Sequence, residues 1–98
     1  MKQYRTVLVG VGGIAPQHYE MLSAIPERCE VLGMVDPDPE MLEKRKQEWG
    51  YRAFDSLDQA LAEKPDVAWV MTPVGPRLEI LRQCFAAGCD VFTEKPLA

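Results

Sequence analysis

The period of the apolar residues changes repeatedly along this chain, and that change constrains the fold more than any other feature. Five short apolar runs are typical of strands, and the stretches between them have the spacing of amphipathic helices. The predicted strands cover residues 5–9, 31–35, 52–54, 67–71 and 91–93. The first, second and fourth are apolar on both faces, which indicates strands covered by helices above and below.

Start and stop signals mark the helices between these strands. Asp38 can cap a helix that has Pro39 at its first position, where a missing N–H costs nothing. Ser56 and Gln59 form a capping box for the next helix, which should end before Pro65. The first helix is indicated by the helical spacing of Ile14, His18, Met21, Leu22 and Ile25. The last helix should start near Pro76 and end at Gly88, with an apolar stripe of Leu78, Leu81 and Phe85.

The connections between strands are short enough to require crossovers that return to the same sheet. We therefore predict an α/β fold: a single doubly wound Rossmann domain over residues 1–98, with a parallel sheet in the strand order 3-2-1-4-5 and helices on both faces.

Composition places the chain among soluble globular domains. It has 98 residues, 47% of them hydrophobic, and no unbroken apolar run of the about 18 residues that a membrane helix needs. A net charge of -4 without clustered Lys and Arg argues against a nucleic-acid partner. The N-terminus lacks the cleavage pattern of a secretory signal, so a cytoplasmic location is expected. Cys29, Cys84 and Cys89 match no metal or redox motif and are interpreted as small hydrophobes, so no metal site is predicted.

A glycine-rich segment, "LVGVGGIAPQHY", lies between the first predicted strand and the first predicted helix. Gly10, Gly12 and Ala15 have the spacing G-x-G-x-x-A: a glycine for a tight turn, one for close approach of a pyrophosphate, and a small residue for helix packing. The N–H groups of the helix start would face the phosphates. The predicted dinucleotide contacts also include Gly13 and Ile14.

Asp36 ends the second predicted strand, followed by Pro37. A carboxylate at this position can accept hydrogen bonds from the adenosine ribose hydroxyls, and it would repel a 2′-phosphate, so NAD is favoured over NADP as the cofactor. The alternative is that "DPDP" is only a turn and a helix cap, which is the favoured interpretation for Asp38.

Three other residues are interpreted as packing residues first. His18 lies on the apolar stripe of the first helix, where a hydrogen-bonded packing role is favoured over that of a base or ligand. Trp69 and Met71, at the fourth predicted strand, are favoured as core residues.

The carboxyl ends of the fourth and fifth predicted strands carry Thr72 and Pro73, and Glu94, Lys95 and Pro96. Ligands of open parallel sheets bind beyond these ends, so both segments should face the nicotinamide half of a dinucleotide. The alternative is a surface Glu–Lys pair at a strand end.

The whole chain resembles the glucose-fructose oxidoreductase and inositol dehydrogenase family (Gfo/Idh/MocA) through "GVGGIAPQH", "VD", "TP" and "AGCDVFTEKPLA". This resemblance implies an NAD-dependent oxidoreductase of a sugar, polyol or related hydroxy compound. It also implies that Lys95 lies beside the nicotinamide and the reacting hydroxyl as the catalytic residue, and that Glu94 helps to hold the cofactor. A fixed ammonium suits this role, because it can stabilise the oxygen that loses its proton.

Two departures from the family pattern bear on activity. Family members commonly follow "TP" with an asparagine and, three residues later, a histidine, whereas this chain has Val74 and Arg77. Arg77 could meet an anionic substrate, but an exposed helix arginine is favoured. Members also carry a second domain, which residues 1–98 do not encode, so we expect a truncated domain without a complete catalytic site.

Two other functions remain open: a module that binds NAD without turnover, and a methyltransferase that binds S-adenosylmethionine through the same loop. The second is disfavoured because it does not explain Glu94, Lys95 and Pro96.

The fifth predicted strand should form an exposed sheet edge, which can pair with another copy of the chain. We therefore predict self-association into a homo-oligomer. Light scattering over a concentration series should show the mean mass rising, and a monodisperse monomer at high concentration would contradict this.

Overall fold

The computed structural model describes residues 4–12, 16–17, 19–20, 29–71 and 74–93, with the backbone alone for residues 74–77. The strands are β1 (Tyr4–Val9), β2 (Cys29–Val35), β3 (Val67–Val70) and β4 (Asp90–Thr93), and the helices are α1 (Pro39–Trp49), α2 (Leu57–Leu61) and α3 (Val74–Ala86). Residues 16–17 and 19–20 are also helical, within the range predicted for the first helix. His18 and the Arg77 side chain lie outside the description.

The described sheet has four parallel strands in the order β2-β1-β3-β4. A doubly wound parallel sheet is therefore confirmed, but the predicted set of five strands is wrong. Residues 52–54 form only an isolated parallel bridge between Ala53 and Met34, with hydrogen bonds from the Met34 N–H to Arg52 and from the Phe54 N–H to Met34. The segment stays short because Phe54 turns into the core and the cap of α2 follows at Ser56.

Two apolar clusters cover the two faces of the sheet. Val7 and Val9 of β1 point into one cluster, against which α2 and α3 pack. Leu8, between them, points into the other, where residues of α1 pack together with the fully buried Val11. This alternation is the two-residue period of a strand, and it shows why the second half of β1, from Val7 to Val9, is apolar on both faces.

The predicted N-caps are confirmed, although the Gln59 side chain of the predicted capping box accepts from the Asp55 N–H (2.7 Å) and not from that of Ser56. The Asp38 carboxylate accepts hydrogen bonds from the N–H groups of Glu40 (3.0 Å) and Met41 (3.4 Å), and Pro39 occupies the first turn of α1. The Ser56 hydroxyl accepts from the Gln59 N–H (3.1 Å), at the start of α2.

The apolar stripe predicted for the last helix lies largely in solvent. Leu78 is 73% exposed and Phe85 is 62% exposed. The side of α3 that meets the sheet carries Ile80, Leu81 and the fully buried Cys84, so Leu81 alone of the predicted stripe packs on the sheet. The predicted stripe includes Phe85 in place of the buried Cys84, because the small cysteine has the weaker apolar signal.

The core interpretations are borne out. Met71 is buried, Trp69 packs against the same cluster, and Cys84 and Cys89 belong to the cluster on the opposite face. Among the described residues, no helix has the length and the apolar character needed to cross a bilayer.

The three thiols should differ sharply in reactivity. Burial and the neighbouring Cys89 raise the pKa of Cys84 to about 11, and burial raises the pKa of Cys89 as well. At about pH 8, only about one Cys84 thiol in a thousand is then the reactive thiolate. Cys29 is a free thiol that is only partly buried.

We expect Ellman's reagent at this pH to label Cys29 first and the two buried cysteines only on unfolding. A Cys29→Ser variant is the control and should lose the fast phase. Fast labelling of two or three thiols in the folded chain would contradict the placement of Cys84 and Cys89.

Candidate functional site

The glycine-rich loop begins where β1 ends, and its first residue makes the turn. Gly10 has φ 86°, a left-handed conformation that glycine adopts without steric cost. Its N–H donates to the carbonyl oxygen of Val35 at the end of β2 (2.8 Å). The turn therefore keeps the loop beside the carboxyl ends of the two strands.

Gly12 is required neither by the backbone nor by packing. Its φ lies outside the left-handed range, and among the described residues other than its chain neighbours no atom lies within 4 Å of a Cβ built on it. A missing side chain with open space above it suits a group that approaches the backbone from outside the protein. The residues present therefore fit the pyrophosphate of a dinucleotide at this point.

Asp36 lies directly beside this loop. One carboxylate oxygen, Oδ2, accepts a hydrogen bond from the Val11 N–H (2.8 Å), and the other, Oδ1, accepts one from the Asp38 N–H (2.8 Å). The second bond is the local turn that was the alternative interpretation, so Asp36 makes that turn and also holds the loop. Each oxygen retains a lone pair, which leaves the carboxylate able to accept ribose hydroxyls.

Arg45 was missed by the sequence analysis. It is only 8% exposed, and its Nε donates to the carbonyl oxygen of Val11 (2.7 Å). Its Nη1 donates to the Glu48 carboxylate (2.8 Å), and its guanidinium lies over the Trp49 ring, 5.0 Å from the centroid. A usable signal existed, because Arg45 falls four residues from both Met41 and Trp49, which pack on the sheet face.

Three aromatic rings pack together beside Arg45. Tyr19 stacks on Trp49 with ring centroids 4.5 Å apart, and Tyr51 meets both rings edge to face. Burial, with a smaller effect from Tyr19, raises the pKa of Tyr51 above its ordinary value. These contacts anchor the C-terminal end of α1 and hold the helix that carries Arg45 in place.

The nicotinamide end of the predicted site lies outside the described residues. That end comprises Thr72, Pro73, Glu94, Lys95 and Pro96, and the loop residues Gly13, Ile14 and Ala15 are likewise not described. Pro37 is described, and it follows Asp36 at the end of β2. At the tip of β4, the Thr93 hydroxyl oxygen is buried, and it has no hydrogen-bond partner within the part of the chain that is described.

The register explains why the two described halves meet. β1 and β2 are adjacent and parallel, and Val9 is paired with Val35, so Gly10 and Asp36 leave the sheet at the same edge. A family model described as "Oxidoreductase family, NAD-binding Rossmann fold" (Gfo/Idh/MocA) matches residues 4–98. The chain belongs to this family.

Two curated relatives and one solved structure illustrate the similarity. The chain is 30% identical over 96 residues to UDP-N-acetylglucosamine 3-dehydrogenase of Acidithiobacillus ferrooxidans, covering 98% of this chain and 29% of the relative. It is 33% identical over 93 residues to inositol 2-dehydrogenase of Leifsonia xyli subsp. xyli, covering 91% and 27%. The Bordetella pertussis WlbA dehydrogenase, solved with NADH and UDP-GlcNAcA, has a TM-score of 0.89 at 32% identity, covering 99% of this chain and 30% of that one. The chain thus spans under a third of each.

A Gly12→Ala substitution should separate ligand binding from folding. Because no described residue beyond its chain neighbours meets the added Cβ, we expect the free energy of unfolding to change by no more than about 0.5 kcal/mol. The methyl group would occupy the space required by a pyrophosphate, and NAD affinity should fall at least about tenfold.

The matched control is Gly50→Ala, at a left-handed position (φ 77°) at the end of α1. It should cost about 1 kcal/mol of stability and leave NAD affinity unchanged. Urea unfolding and calorimetric titration measure both quantities. Unaltered NAD affinity in Gly12→Ala would rule out a pyrophosphate over this residue.

Proposed function

We propose that this chain is the dinucleotide-binding domain of an NAD-dependent oxidoreductase that acts on a sugar, polyol or related hydroxy compound. The observation that carries this proposal is the arrangement at Val11. Its N–H donates to the Asp36 carboxylate, and the next residue is Gly12, which has open space above its Cα. Membership of the oxidoreductase family supports it, as do relatives named as dehydrogenases of a nucleotide sugar and of inositol.

The adenosine half of the cofactor would be held at the carboxyl ends of β1 and β2. The loop from Gly10 to Ala15 would receive the pyrophosphate, and Asp36, with Pro37 beside it, would receive the ribose hydroxyls. Since a 2′-phosphate would meet the Asp36 charge, NADP should bind more weakly than NAD.

The nicotinamide half would be held at the ends of β3 and β4. We assign Thr72, Pro73, Glu94 and Pro96 to this end, and Lys95 as the catalytic residue there. Bound NAD supplies a hydride acceptor for the alcohol carbon. The Lys95 ammonium would stabilise the substrate oxygen as its proton leaves.

Residues 1–98 would supply only the dinucleotide half of such an enzyme. The chain matches under a third of the length of its curated relatives, so we propose that a second domain completes the substrate site. A non-catalytic NAD-binding module is the second candidate. It is favoured by Val74 and Arg77, which stand where many family members carry an asparagine and a histidine.

Titration of the purified chain with NAD, NADP and S-adenosylmethionine tests the cofactor. We expect NAD to bind more tightly than the other two, and tighter binding of S-adenosylmethionine would contradict the proposal. Hydride transfer with a panel of polyols then separates an enzyme from a module without turnover.

Substitution of Asp36 tests the ribose assignment. Asp36→Ala should weaken NAD binding by about 1 to 3 kcal/mol, through loss of the ribose hydrogen bonds, and should weaken NADP binding less. The ratio of the two affinities is the decisive quantity, because Asp36 also holds Val11 and its loss will lower stability.

The control is Asp38→Ala, which removes the cap of α1 at a stability cost of about 1 kcal/mol. It should leave the ratio of NAD to NADP affinity unchanged. Calorimetry on both variants measures this ratio, and equal losses for the two cofactors in Asp36→Ala would remove the ribose assignment.

A further inference from the structure

We propose that Arg45 is a positioning residue that fixes the Val11–Gly12 peptide and so directs the Gly12 N–H toward the diphosphate of a bound dinucleotide. This inference rests on the dinucleotide-binding function proposed above. Arg45 lies on α1, outside the glycine-rich loop, and acts through the backbone of Val11 without touching the ligand itself.

Three backbone groups of Gly10 and Val11 are held by hydrogen bonds. The Gly10 N–H donates to the last carbonyl of β2 (2.8 Å), and the Val11 N–H donates to Asp36 Oδ2 (2.8 Å). The Val11 carbonyl accepts from Arg45 Nε (2.7 Å). The next group along the chain is the Gly12 N–H, which has no acceptor among the described residues.

The direction of the Gly12 N–H follows from peptide geometry. The Val11 carbonyl and the Gly12 N–H belong to one peptide unit, in which the two groups point in opposite directions when the bond is trans, as it is for almost all non-proline residues. Since the carbonyl points at Arg45, the N–H points away from α1. Gly12 is partly exposed, with open space above its Cα, so an anion can reach this donor.

Arg45 is itself held firmly enough to do this. Its guanidinium is planar, and its donors leave in fixed directions: Nε to the loop and Nη1 to Glu48. Contact with the Trp49 ring further restricts the side chain. Burying a guanidinium without hydrogen-bond partners costs free energy. The burial of Arg45 therefore favours the arrangement in which Nε and Nη1 each have an acceptor.

Arg45→Met tests the proposal, with ADP and adenosine as the probes. Methionine keeps an unbranched stem but has no donor, so the Val11–Gly12 peptide loses its hydrogen bond. We expect the Kd for ADP to rise about tenfold, and the Kd for adenosine to stay unchanged because it has no phosphate. Arg45→Lys keeps the charge but not the planar fork, and should recover part of the ADP affinity.

Two controls isolate the contact with the loop. Arg52→Met removes another arginine that lies over a ring, that of Phe54, and should leave both affinities unchanged. Glu48→Gln removes the charge that pairs with Arg45 and keeps the hydrogen bond to Val11, so its effect on ADP should be smaller than that of Arg45→Met.

A second readout uses the ligand-free protein. The ¹⁵N order parameter of Gly12 should fall in Arg45→Met and stay at its original value in Arg52→Met. A folded Arg45→Met chain that binds ADP like the original, or loses ADP and adenosine affinity by the same factor, would overturn the proposal. If Arg45→Met does not fold, the ratio of ADP to adenosine affinity in Arg45→Lys decides in its place.

The outcome for the proposed function is separate. If the unsubstituted chain binds neither ADP nor NAD, the proposed dinucleotide-binding function is wrong. The order parameter of Gly12 would then still show whether Arg45 fixes the loop.

Discussion

The hydrogen bond from the Val11 N–H to Asp36 joins the carboxyl ends of β1 and β2, and the candidate site depends on it. Without this bond, the glycine-rich loop would be held beside the sheet by the Gly10 turn and by Arg45, but it would have no link to Asp36. With it, the loop and the carboxylate are fixed relative to each other before any ligand arrives. Such preorganisation matters because every rotor frozen on binding subtracts from affinity.

The same bond links two segments that lie far apart in the sequence, the glycine-rich loop and Asp36. Gly10 and Asp36 are separated by a helix and a strand along the chain, yet the pairing of Val9 with Val35 brings them to one edge. Parallel pairing makes this unavoidable, because neighbouring strands then end on the same side of the sheet. A function that uses a phosphate contact and a ribose contact together needs that juxtaposition.

Much of the fold could be predicted from the sequence, because its signals are local. The caps at Asp38 and Ser56 depend only on residues within one helical turn, and β1 is recognisable from an unbroken apolar run. The errors arose where tertiary packing decides. Residues 52–54 have strand character, but Phe54 enters the core after a single bridge.

The same distinction between local signals and tertiary packing separates the predicted site residues from the one that was missed. Gly10, Gly12 and Asp36 are predicted as site residues because each residue type has a mechanical reason at its position. Arg45 was not predicted, because a charged residue next to apolar helix positions is expected to lie in solvent until its partners are known. Its Glu48 partner lies one turn along the same helix, but its partner in the loop, the Val11 carbonyl, becomes apparent only once α1 is packed beside the loop.

Holding Val11 from both sides gives the loop a property that neither contact gives alone. Asp36 fixes the N–H and Arg45 fixes the carbonyl, so rotation of either adjacent peptide must break a hydrogen bond to a charged group. Bonds of this kind contribute about 1.5 to 3 kcal/mol each. Asp36, which would select the ribose, and Arg45, which would direct the Gly12 amide, therefore hold the same residue through different backbone groups.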